Sequence, residues 1–129
     1  MKICYNVLAV FLICAGCERD LSGPTKDLDG LHITTEEEAF FISNRTDRVL
    51  RLFPVERGTA TAILWAPYCL STGLILPSGE NMRIRFEEIY GYEKDCEVIF
   101  YWWSCTEIEG RMEPGTIHSA VLSTSGANP

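Results

Sequence analysis

Six cysteines, two histidines and eighteen carboxylates are the groups in this chain that could do chemistry. The tightest spacing is Cys14-Ala15-Gly16-Cys17, a Cys-x-x-Cys pair. As a dithiol it would need to open a helix after a strand, where backbone N–H groups stabilise a thiolate. Only the start of an apolar, signal-like run from Val7 precedes it, so it is not read as a redox centre. Aligning Gly30 with the central glycine of a calcium loop puts Asp27, Asp29 and Glu36 at ligand positions. Thr25 then fills the first position and no helices flank the loop, so the stretch reads as polar spacer. His32 and His118 fall in strand-like segments without metal-ligand spacing. Asn44-Arg45-Thr46 matches a glycosylation sequon and reads as a turn. No nucleophile elbow, zincin helix, phosphate loop or dinucleotide fingerprint is present. The expectation is a non-enzymatic chain with no metal and no cofactor. A hydrolase that uses His32 or His118 in an unfamiliar arrangement is the rival from another class.

Charge narrows the partners. Acids outnumber bases 18 to 11, a formal charge of −7, whereas phosphate recognition needs a surplus of lysine and arginine. Nucleic acid is therefore not an expected partner, and attraction to an anionic bilayer is disfavoured as well. Any membrane association must be hydrophobic or covalent. Lys2 followed by "VLAVFLICAG" has the charged start and short apolar run of an export signal. The run falls well short of the roughly 20 residues needed to span a bilayer.

Its end, "ICAGC", resembles the lipobox of bacterial lipoproteins, with Cys14 where leucine is usual and Ile13 beside it. That resemblance implies cleavage after residue 16, a diacylglycerol on the Cys17 thiol and acylation of the new amino end. Two or more acyl chains hold a protein stably at a membrane, at ~0.8 kcal/mol per buried CH₂. Glu18, where an inner-membrane lipoprotein tends to carry aspartate, leans the placement towards the outer membrane of the cell envelope by the same resemblance.

Behind the anchor, residues 17–30 read as lipidated cysteine and flexible spacer, and 31–125 as one domain. Short apolar or alternating runs recur between turn residues, and no sustained helical period interrupts them. Strands are expected over 31–34, 38–43, 48–55, 61–65, 73–76, 82–86, 97–104 and 116–122. "MRIRF" alternates cleanly, with Met82, Ile84 and Phe86 facing in and Arg83 and Arg85 facing water. Pro54 restricts its strand to an edge or bulge position there. Seven or eight short strands with a tryptophan-bearing central one suggest an all-β, immunoglobulin-like sandwich; a small β-barrel is the alternative. "FFISNRTDRVLRLF" and "PSGENMRIRF" resemble a pattern of small bacterial Ig-like domains, which supports a fold and not an activity.

Three cysteines lie in the domain. Cys96 and Cys105 flank one strand, roughly 30 Å apart at ~3.3 Å per residue, too far for a disulfide. If every connection reverses direction, Cys69 meets Cys96 and Cys105 is left over. The strand "EVIFYWW" is apolar on both faces: Val98, Phe100 and Trp102 in one register, Ile99, Tyr101 and Trp103 in the other. The second register is assigned outward. Either a segment such as 87–95 covers it, or it is an exposed aromatic strip that binds a protein or a glycan. In the second case Ile99, Tyr101 and Trp103 would be joined by Trp65 and Tyr68. The functional expectation is a lipid-anchored binding or accessory module, with a purely structural envelope component as its alternative.

Overall fold

A computed structural model describes residues 25–70 and 73–125. The Cys14–Cys17 motif, the signal-like run, Cys17 and spacer residues 18–24 lie outside the described residues.

Among the described residues nine strands form two antiparallel sheets: β1 Thr25–Leu28, β2 Leu31–Thr35, β3 Ala39–Asn44, β4 Leu50–Glu56, β5 Leu74–Leu76, β6 Asn81–Arg85, β7 Glu97–Ile108, β8 Arg111–Pro114 and β9 His118–Ser123. One sheet has the order β1-β2-β3-β6 and the other β5-β4-β7-β8, with β9 also paired to β7. β8 and β9 share one side of β7. The first pairs with Cys105–Ile108 and the second with Glu97–Trp102. The two sheets do not close into a barrel. With β2, β3 and β6 facing β5, β4, β7 and β9, they follow the strand order of an immunoglobulin-like sandwich carrying an extra strand beside its third.

Alternation places the core. Leu31, Ile33, Phe40, Ile42 and Ile84 from the first sheet meet Leu50, Leu52, Val98, Phe100, Trp102 and Leu122 from the second. Phe40 joins the halves, edge-on to Phe100 at 5.2 Å and to Phe86 at 5.0 Å. "MRIRF" faces as its pattern requires, with Ile84 and Phe86 buried and both arginines exposed. Pro54 costs no ladder bond, because β5 pairs only with Leu50–Leu52 and leaves β4 open on that side at residue 54.

Three expectations need correction. Residues 25–28 are strand β1, not spacer, because Asp29 and Gly30 take positive φ values of 48° and 85° and fold β1 back on β2. That is the two-residue turn whose twist matches a hairpin. Glu109 and Gly110, at 52° and 80°, do the same for β7 and β8. Residues 61–65 are not a strand. They belong to an irregular strap, 61–70, which follows a one-turn helix at Arg57–Ala60. Residues 87–95 do not cover the aromatic face either. Tyr92 packs on Phe86 at 5.8 Å, and Tyr90 bridges to Val55 at the open edge of β4.

Candidate functional site

The outward register of the second sheet is built by pairing. Phe53 lies opposite Tyr101, and Arg51 opposite Trp103. The strap runs down this face and lays the Trp65 ring on Phe53, Tyr101 and Trp103, with centroid distances of 4.8, 4.6 and 5.9 Å. Trp103 Nε1 donates to the Tyr68 carbonyl at 3.1 Å, and Arg51 donates to the carbonyl of Leu70. Between strap, sheet and β5 lies an apolar groove of about 210 Å³. Phe53, Trp65, Leu74 and Trp103 line it, with Arg51 and Tyr68 among the wall residues.

The bridge is Cys69–Cys105, with Cα atoms 5.9 Å apart, and not the expected Cys69–Cys96. Strict alternation of direction fails at one place. β5 is antiparallel to β4, as the strap's descent is, so strap and β5 run the same way and one reversal is lost. Cys69 therefore arrives at the far end of β7. Cys105 shares the outward register of Tyr101 and Trp103, while Cys96 is a free thiol packed against the core at the opposite end.

Magnitudes show what holds the strap. Ordering residues 63–70 costs about 1–2 kcal/mol per residue. The half-buried Trp65 indole and its ring contacts offset only part of that. No backbone–backbone hydrogen bond ties residues 63–70 to the sheet. The bridge closes a sequence separation of 36 and typically contributes ~2–4 kcal/mol, a substantial part of what holds the strap.

Glu56 fixes the strap's upper end. Its carboxylate accepts from the Gly58 and Thr59 N–H groups, both at 2.7 Å, and from the Thr59 hydroxyl at 2.8 Å. The Gly58 N–H foremost, then the Thr59 hydroxyl and N–H, hold its pKa below the ordinary value. A depressed folded pKa means this contribution is complete above the unfolded pKa and is lost as pH falls through the folded one. The Gly58 and Thr59 amide shifts should therefore titrate together below the ordinary carboxylate range. That titration should vanish in Glu56→Gln; a midpoint at or above the ordinary value would contradict the cap.

Of the five residues expected in a binding strip, the structure brings Trp65, Tyr101 and Trp103 into ring contact. Trp103 is only 6% exposed, and Tyr101 and Ile99 are half-buried. Tyr68, 60% exposed, stands on the groove wall, whereas Ile99 does not line it. Sequence reasoning missed Arg51 and Phe53, although "LRLF" alternates and leaves both pointing outward.

The histidines gather little chemistry. His118 Nδ1 lies 3.5 Å from Asp29 Oδ2, and its ring stacks on Trp102 at 5.5 Å. Ser104 lines the same end cleft as His118. His32 sits between Asp27 and Ser43 on the outer face of the first sheet. Among the described residues no three His, Cys, Asp or Glu side chains cluster as metal ligands. Comparison with known proteins finds no matching family model, no matching curated protein and no matching solved structure.

Proposed function

We propose that this chain is a lipid-anchored, non-enzymatic binding module of the bacterial cell envelope, held at Cys17 and more suited to the outer membrane than the inner. Its recognition surface is the strap-walled groove, and its partner is a protein or a glycan. The observation that carries the reading is Tyr68. A large aromatic side chain stands mostly in solvent beside an apolar groove with a guanidinium at its edge. Tyrosine with an apolar cavity and one charged group is the composition of a recognition hot spot. The lipobox-like "ICAGC" supplies the attachment, and no helix among the described residues is long and apolar enough to cross a membrane.

Geometry agrees with such a tether. Thr25 begins β1 towards the end of the sandwich opposite the Cys69–Cys105 bridge. Cys17 precedes it by a stretch that reaches at most about 28 Å when fully extended. A lipid there would hold the Thr25 end nearer the bilayer and leave the bridged end facing outward.

Two measurements test the reading. Palmitate should enter the wild-type polypeptide in its native host and not Cys17→Ser, with an intact mass lacking residues 1–16. Trp65→Ala combined with Tyr68→Ala should weaken capture of envelope protein or glycan at least tenfold while amide protection in β3 and the first half of β7, which pack away from the strap, stays near wild type. The burial of Trp103 favours one second reading, a structural envelope component without a ligand. Unchanged envelope interactions in the double variant would select it.

A further inference from the structure

The Cys69–Cys105 bridge lies on the outward face of the sheet, half-buried, where the strap ends. Everything else that holds residues 63–70 is conditional: one indole on three rings, and two side chains donating to the carbonyls of Tyr68 and Leu70. The core on the other face of the same sheet does not depend on the strap. Phe40, Phe100, Val98 and Leu52 pack between the two sheets, and β7 is paired to β4 and β9 along its first half. The bridge can thus be lost without removing a core contact.

We propose that Cys69–Cys105 is a redox latch: its reduction by a protein dithiol frees the strap and uncovers Phe53, Tyr101 and Trp103. The exchange balances without another reactant. A thiolate of the dithiol attacks one sulfur of the bridge and forms a mixed disulfide, and the other sulfur leaves as a thiolate and takes a proton. The second thiol of the reductant then displaces the protein's remaining sulfur. Two electrons pass to the bridge, and the reductant ends as a disulfide. Cys96 takes no part, because the length of β7 separates it from Cys105. This latch stands whether or not the groove binds a ligand.

Limited proteolysis tests it. A chymotrypsin-type protease cuts after Trp65 and Tyr68, and cleavage there should accelerate at least tenfold when dithiothreitol reduces the bridge. Amide protection in β3 and in the first half of β7 should stay as in the oxidised protein. The Cys69→Ser/Cys105→Ser double variant should be cut at the reduced rate without reductant. Equal cleavage rates in both redox states, with thiols counted by mass, would overturn the proposal, because ring packing alone would then hold the strap. Protection lost from β3 and β7 together with the strap would also overturn it, because the bridge would then be a staple of the whole fold.

Discussion

Phe100→Ala is expected to lower the unfolding free energy by about 3–5 kcal/mol, the range for truncating a fully buried phenylalanine. Its side chain has no solvent exposure and meets Phe40 edge-on, and Phe40 in turn meets Phe86. Removing the ring opens a cavity at the contact between the two sheets, which the surrounding β ladders cannot close by sliding. A domain of this size has roughly 5–15 kcal/mol in total, so the variant sits near the edge of folding. Urea denaturation should show a large fall in midpoint at constant slope. Phe100→Leu, which keeps most of the volume, should lose under ~1.5 kcal/mol. If alanine cost no more than leucine, the ring would not be what couples the sheets.

Asn44→Ala is expected to cost about 3 kcal/mol although it removes no apolar contact. The side chain is buried where β3 leaves the first sheet. Its Nδ2 donates to the carbonyls of Arg48 at 2.7 Å and Leu76 at 2.9 Å. Its Oδ1 accepts from the Thr46 N–H at 2.9 Å and the Thr46 hydroxyl at 2.6 Å. One amide thus ties the β3–β4 turn to the end of β5. Truncation leaves the buried Leu76 carbonyl without that donor, and such a group costs ~1–3 kcal/mol by itself. Chemical denaturation of Asn44→Ala beside Arg45→Ala, whose side chain is exposed, should separate the two by at least 2 kcal/mol on this scale. Equal stabilities would mean that water replaces the amide.

The sandwich was legible wherever one face of a strand is buried. "LHIT", "FFIS", "MRIRF" and "VIFYWW" each alternate or run apolar, and each lies within a step or two of an observed strand. What could not be read was how an apolar segment meets its neighbours. "TAILW" is as apolar as a strand, yet Trp65 gains its burial by lying across a sheet rather than pairing within it. Because the strap is not a paired strand, one reversal of direction is missing before β7, and Cys69 meets the Cys105 end of that strand and not the Cys96 end. A better signal was at hand: Cys105 is two residues beyond Trp103 and must face the same side. β1 and β8 escaped notice because their exposed arms carry no apolar alternation, and only the Asp29-Gly30 and Glu109-Gly110 turns betray them.

The pairing of β7 also governs how the molecule is made. Once the chain has emerged through Arg85, every strand of the β1-β2-β3-β6 sheet exists, while β4 and β5 still lack the central strand that unites theirs. Leu31, Ile33, Phe40, Ile42 and Ile84 then form a bare oily surface with nothing to cover it. Nascent intermediates of this kind aggregate readily, and pairings this distant in sequence form slowly, over milliseconds to seconds. A chaperone that shields the emerging polypeptide until its last third appears should raise the yield more than any change to the finished surface.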